Sequence, residues 1–185
     1  MKKVYILFAD GFEEVEGLTP VDLLRRAGIE VKMVSVTGNE TVTGSHGISF
    51  KTDMLYSDEV LEGDMIVLPG GMPGTTHLKE SQDVKTAVEY YNENGKYLAA
   101  ICAAPTVYGE MGLLHGKKAT CYPGLEAGLT DAMWPGENAS VVTDGQFITS
   151  RGLGTAIDFS LEIISILISK EKADEIAKSV VYKNK

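Results

Sequence analysis

Cys102 stands between an apolar run and a segment that opens with proline, in the stretch YLAAICAAPTVYGEMG. A nucleophile on a sharp strand-to-helix turn needs small residues two before and two after it, because the backbone is crowded there. Ala100 and Ala104 hold those positions, and Pro105 falls in the first helical turn, where a missing N–H costs nothing. A helix N-terminus favours thiolate over thiol, so this joint is expected to expose the sulfur and to activate it. Two kinds of chemistry are open to such a sulfur: addition to an electrophilic carbon, and oxidation. A free cysteine is otherwise a small buried hydrophobe. That second description suits Cys121, in KKATCYPG, which has no comparable setting.

Two further segments read as strand ends that reach the same edge. DMIVLPGG closes with Gly70 and Gly71, whose backbone N–H groups can approach a substrate closely. One of them, with the N–H of Ala103, would form an oxyanion site. ADGFEEVEGLTP places Glu13, Glu14 and Glu16 between the first strand and its helix. Any of the three can face Cys102, or all can be solvated acids near a helix N-terminus, and spacing does not choose among them.

The elements needed to position these residues are legible in order. KVYILFA is a short, wholly apolar strand; LTPVDLLRRAG is a helix stopped at Gly28; IEVKMVSV alternates as a second strand. TVTGSHGISFKTDM reads as a hairpin or extended excursion, and SVVTDGQFITS as a hairpin about Asp144-Gly145. SQDVKTAVEYYNENG is a helix from a Ser81 cap to Gly95, with Val84, Ala87, Val88 and Tyr91 on one face. YLAAI is a strand, APTVYGEMG a short helix, GTAIDFSLEIISILIS a long apolar helix against the sheet, and EKADEIAKSVV a last amphipathic one. Strands alternating with helices predict an α/β fold with a doubly wound, mostly parallel sheet, in one domain over residues 1–185.

Composition narrows the function classes. A net charge of −9 disfavours nucleic acid and anionic membrane as partners. No apolar run is long enough for a signal peptide or a membrane span, so a cytoplasmic protein is expected, with two cysteines kept as thiols. His46, His77 and His115 are scattered and show no zinc spacing, so no metal site is expected.

Four segments in this order, GFEEVEGLTPVDLLRRAG, VLPGGMPG, AAICAAPTV and TSRGLGTAIDFSLEI, resemble the ThiJ/PfpI superfamily in its DJ-one-like branch. The resemblance runs nearly end to end. It implies a flavodoxin-like sheet sandwiched by helices, with Cys102 as the reactive cysteine and Glu16 as the acid bonded to its sulfur. Gly71 and Ala103 match the backbone donors. Relatives of that branch carry a histidine where this chain has Tyr122, and the peptidase-like branch carries one where it has Ala103. A PfpI-type peptidase reading therefore lacks its general base. His46 lies in a hairpin that in relatives helps form a dimer contact near the site, which makes it a residue that a partner subunit would supply or a plain surface turn residue. Relatives pair through the first helix and that hairpin, here around residues 16–26 and 42–50, so a homodimer is expected. Leu18, Val21 and Leu24 offer apolar material for it, unless they face the sheet.

The activities implied are cofactor-free glyoxalase or deglycase chemistry on a small aldehyde or a glycated substrate. Gly70, Tyr122 and His46 would line the substrate's side of the site. The alternative is a redox-sensing stress protein or chaperone using the same oxidisable cysteine. Glutamine amidotransferase chemistry, on the same type of elbow, needs a His-x-Glu pair, and none of the three histidines has glutamate two residues on.

Overall fold

The computed structural model describes residues 1–182, so the last three residues of the expected 1–185 domain lie outside the described residues. Strand β1 (Lys3–Phe8) shows why the first apolar run is continuous rather than alternating. Val4, Ile6 and Phe8 enter one hydrophobic layer while Tyr5 and Leu7 enter another, and all five are fully buried. A strand covered by helices on both faces must be apolar at every position.

After β1 come α1 (Glu14–Arg26), β2 (Glu30–Ser35), the hairpin β3 (Thr41–Thr43) and β4 (Ser49–Lys51), and a short β5 (Met54–Leu55). The chain continues through β6 (Met65–Leu68), α2 (Gly74–Glu80), α3 (Gln82–Glu93), β7 (Tyr97–Ile101) and α4 (Pro105–Glu110). It closes with β8 (Val141–Asp144), β9 (Phe147–Ser150), α5 (Ala156–Leu167) and α6 (Lys170–Ser179). The seven-stranded sheet has the order β5-β2-β1-β6-β7-β9-β8. Every neighbouring pair in it is parallel except β8 with β9. Taking only its long parallel strands in chain order, the sequence of neighbours is 2-1-3-4-5, the flavodoxin-like winding. Helices α1, α5 and α6 cover one face, and α2, α3 and α4 the other.

Local chemistry accounts for the boundaries. Ser81 Oγ accepts from the Val84 N–H at 3.4 Å, and Val84, Ala87, Val88 and Tyr91 are buried as their spacing predicts. The turn between β8 and β9 uses Gly145 at φ +60°, and α1 is followed by Gly28 at φ +84°. One boundary differs from the sequence reading: α1 begins at Glu14, ahead of LTPVDLL, and carries Pro20 inside it. Tertiary contacts explain this. Gly17 packs so tightly on Phe8 that a Cβ there would lie 2.5 Å from the ring, and Glu14 accepts the His46 N–H from the hairpin at 2.9 Å. Phe8, Phe12 and Phe50 meet edge-on with centroids 4.9–5.6 Å apart, which fixes the β3–β4 hairpin over the carboxyl end of β1.

Candidate active site

In an open α/β sheet the crevice for a ligand lies beyond the carboxyl ends of the strands. Here the ends of β1, β6, β7 and β9 are side by side, and Cys102 follows directly after β7. Its φ is +64°, a conformation that costs a non-glycine residue on the order of 1 kcal/mol or more. Two backbone bonds hold it there. The Cys102 N–H donates to the Ser150 carbonyl at 2.9 Å, and its own carbonyl accepts from the Tyr122 N–H at 2.8 Å. Pro105 then opens α4 at its first turn, as the sequence predicts.

The backbone amides of Gly71 and Ala103 lie by the Cys102 sulfur and favour its charged form. Ala103 is oriented by Thr106, whose hydroxyl donates to its carbonyl at 2.7 Å. Gly70 and Gly71 are required as glycines. A Cβ on Gly70 would lie 2.6 Å from both Cys102 Cβ and Glu16 Oε2. One on Gly71, at φ +91°, would lie 2.3 Å from the Glu13 nitrogen.

Of the three acids that spacing left open, Glu16 is the one beside Cys102. Its side chain comes from the first turn of α1 and is 1 % exposed, so it is not the solvated acid that a loop position would give. Glu16 Oε2 is buried with no hydrogen-bond partner among the described residues. Burial pushes the Glu16 carboxyl up to about 7, helped by the nearby charge of Glu13 and opposed by hydrogen bonding to Cys102. Burial likewise pushes the Cys102 thiol up to about 12, and the charge of Glu16 adds to it, against the smaller downward pull of the Gly71 and Ala103 amides. The helix N-terminus therefore does not by itself yield a free thiolate, contrary to the expectation from the elbow. A lone negative sulfur beside a carboxylate in a dry site is too costly. Cys102 and Glu16 instead form a pair that carries at most one negative charge at neutral pH, and titrates as a unit.

Tyr122 reaches this site from the opposite side. A Cβ on Gly152 would lie 3.4 Å from the Tyr122 ring and 3.7 Å from Glu16 Oε1, so both groups flank that glycine. The ring is half exposed, with no imidazole in its place. His46 is not brought to Cys102 within the chain. Its Nδ1 lies 3.0 Å from Glu14 Oε2 and 3.5 Å from Glu13 Oε2, and the Glu14 hydrogen bond, followed by the Glu13 charge, pushes the imidazole up. Although burial opposes it, hydrogen bonds from His46 and the Ile48 backbone hold the Glu14 carboxyl below its ordinary value. Among the described residues, Glu13, Glu14 and His46 form a group that offers three donor atoms close enough for a cation, and in this structure they satisfy one another. His77 bonds the Asp10 carbonyl and His115 faces Asp131. Cys121 is 1 % exposed and raised to about 12 by burial, in keeping with a packing role.

The sequence reading missed the contribution of the segment after β9. Ser150 supplies the acceptor that holds Cys102, while Gly152 and the backbone of Leu153 lie against Glu16. The signal was the strand end SRGLG, one more carboxyl terminus at the same edge.

Comparison with known proteins agrees with this geometry. A Toxoplasma gondii structure described as DJ-1, oxidized, superposes with a TM-score of 0.91 at 36 % identity, covering 99 % of this chain and 100 % of that one. The Arabidopsis thaliana protein DJ-1 homolog B is 40 % identical over 185 residues, 98 % of this chain but 42 % of that protein, and the chain spans less than half of that relative and of its homolog A. Deglycase PH1704 of Pyrococcus horikoshii is 36 % identical over 168 residues, which are 89 % of this chain and 99 % of that one. The model of the DJ-1/PfpI family matches residues 2–166, a span that holds β1 through most of α5 and every residue of the site just described. With the winding, the elbow and the glutamate beside it all inside that span, the chain belongs to the DJ-1/PfpI family.

Proposed function

We propose that this protein is a cysteine-dependent enzyme acting on reactive carbonyls, methylglyoxal or its adducts, with no added cofactor. The observation that carries the reading is the buried Glu16–Cys102 pair with the Gly71 and Ala103 amides aimed at the same point. In the singly protonated pair, moving the proton to Glu16 leaves a thiolate that adds to the aldehyde carbon. The carbonyl oxygen, held by the two amides, takes its proton from Glu16, and a hemithioacetal forms. Glu16, now a carboxylate, can remove the proton on the former aldehyde carbon and return it to the neighbouring ketone carbon, while the hydroxyl proton of the hemithioacetal passes to the ketone oxygen. Water then cleaves the resulting thioester to a hydroxy acid and regenerates the thiol. The sum is a 2-oxoaldehyde plus water going to a 2-hydroxy acid: the aldehyde carbon is oxidised and the neighbouring ketone carbon reduced, so no external oxidant is needed. The named relative that supports this reading is a deglycase. The test is methylglyoxal consumption by the wild type beside Cys102→Ser. Turnover should fall to the uncatalysed background in the variant, and retained turnover would overturn the reading.

One observation favours a second use of the same sulfur. Glu16 Oε2 is an orphaned buried oxygen beside Cys102, and when protonated it would donate to an oxidised sulfur. Cys102 is partly accessible whereas Cys121 is buried. Mild peroxide followed by peptide mass spectrometry should therefore place sulfinate on Cys102, and preferential modification of Cys121 would reverse the assignment. A peptidase has less support, because the histidines bond elsewhere.

A homodimer is the assembly we propose, through a groove of about 750 Å³ on α1 and the hairpin. Val21 and Leu24, which the sequence offered for this contact, are buried against the sheet instead. Leu18 lines the groove, joined by Val15, Ile48 and Val181, which are respectively 42 %, 56 % and 71 % exposed. Sedimentation at micromolar concentration should show a dimer, and a monomer alone would refute it. Among the described residues no helix is long and apolar enough to cross a membrane.

A further inference from the structure

Helix α5 begins after Thr155, a residue type that commonly caps a helix with its own side chain. Here the side chain makes no capping bond to α5. Its hydroxyl turns back along the chain instead. Thr155 Oγ1 lies 2.7 Å from Ser150 Oγ, 2.8 Å from the Gly152 carbonyl oxygen and 3.1 Å from the Gly152 nitrogen. A hydroxyl has one proton to give and two lone pairs to offer, so it can serve all of these contacts. The Gly152 N–H donates to it, and its own proton goes to the Gly152 carbonyl or to Ser150 Oγ.

Both residues it touches lead to the reacting pair. The Ser150 carbonyl accepts the Cys102 N–H at 2.9 Å, and Ser150 is fully buried. Gly152 stands against Glu16, where an added Cβ would lie 3.7 Å from Oε1. The Leu153 backbone beside it favours the charged form of that carboxyl, against the larger effect of burial. Packing does little to hold this turn. Leu153 is 50 % exposed, and a Cβ on Gly154 would meet nothing within 4 Å. Hydrogen bonds must hold it. Arg151 fastens the turn to the carbonyls of Ser140 and Glu137, on the segment leading to β8. On the side of the pair, the bonds are those of Thr155: its N–H to the Gly152 carbonyl at 2.8 Å, and its hydroxyl.

We propose that Thr155 is a positioning residue for the Cys102–Glu16 pair, its hydroxyl setting the turn that carries both the acceptor for Cys102 and the backbone beside Glu16. It touches neither reacting group. One side chain thereby fixes two members of the site that come from different elements. As a statement about turnover this rests on the carbonyl-enzyme reading. As a statement about the reactivity of the sulfur it does not.

The experiment measures the rate at which iodoacetamide alkylates Cys102 across neutral pH, followed by peptide mass spectrometry so that Cys121 is counted apart. Thr155→Val keeps the branched shape and removes the hydroxyl. With the Leu153 backbone released, burial of Glu16 and the charge of Glu13 meet less opposition. The pH midpoint of alkylation should therefore rise by about half a unit, a loss of about threefold in rate below it. Thr155→Ser should restore both. The titratable groups that face Glu16, namely Cys102 after β7, Glu13 ahead of α1 and Tyr122 across Gly152, are the same in every variant. Circular dichroism checks folding, and Thr155→Ala carries the same test if the valine variant does not fold. A lowered melting temperature with an unmoved midpoint would show a role in stability alone and overturn the proposal, as would a serine variant that does not restore the midpoint. Methylglyoxal turnover separates the two ideas. A shifted midpoint in a protein without turnover keeps the role of Thr155 and ends the enzyme reading, whereas turnover with an unmoved midpoint does the reverse.

Discussion

Glu16→Gln is expected to lower aldehyde turnover by about 10²–10⁴-fold while leaving Cys102 open to an alkylating reagent. Glutamine keeps the size of the side chain and a donor for the sulfur, but it cannot pass a proton between carbon and oxygen. The pH dependence gives a second signature. Burial sets the first proton loss of the Glu16–Cys102 pair at about 7 and the second at about 12. Below the first, both groups hold protons and no nucleophile exists; above it, the pair has one negative charge and the thiolate becomes available by a shift of the remaining proton. Wild-type turnover should thus rise as pH passes about 7. In Glu16→Gln the residual rate should show no step there, because the group that titrates is gone. Steady-state kinetics from pH 5.5 to about 8.5 measures both effects, and a Glu16→Gln variant with wild-type turnover would end the proton-shuttle mechanism.

The second large effect is on folding. Gly71→Ala should destabilise the protein by about 2–5 kcal/mol, the sum of a left-handed alanine and an overpacked contact, and lower the melting temperature by on the order of 10 °C. The added Cβ would meet backbone on three sides: the Glu13 nitrogen at 2.3 Å, Phe12 C at 2.7 Å and the Gly11 oxygen at 2.9 Å. None of these is the end of a flexible side chain that can swing away. Gly95→Ala is the control, since Gly95 has φ +62° but nothing within 4 Å of the built Cβ. It carries the backbone strain alone, about 1 kcal/mol. Equal melting temperatures for the two variants would contradict the crowding at Gly71. Because that crowding holds the Gly71 amide toward the sulfur, turnover should fall in Gly71→Ala and not in Gly95→Ala.

The contrast also shows what a sequence can and cannot reveal. Strand ends were legible because their punctuation is local: Pro69-Gly70-Gly71, the alanines about Cys102, and Asp144-Gly145 each announce a turn through their own backbone preferences. A doubly wound, mostly parallel sheet followed from the alternation of elements, and its flavodoxin-like order from the motif resemblance. What the sequence left open depends on partners distant along the chain. Glu13, Glu14 and Glu16 have the same chemistry, and only the packing of Gly17 on Phe8 and the bonds from the hairpin turn Glu14 to His46 and Glu16 to Cys102. The motif resemblance singled out Glu16, but spacing did not. The elbow at a helix N-terminus by itself predicts a depressed thiol; only with a carboxyl set opposite, as the resemblance sets Glu16, must one of the pair hold a proton. Val21 and Leu24 fit a helical face without saying which face.

The left-handed backbone of Cys102 has a consequence for heredity as well as for chemistry. Glycine adopts φ near +64° without penalty, so a lineage kept only for its ability to fold gains by discarding this cysteine. A library screened for protease resistance, with no substrate offered, should accumulate glycine at position 102. Retention of cysteine under natural conditions would then measure selection on its reactivity, free of any assumption about which molecule it meets.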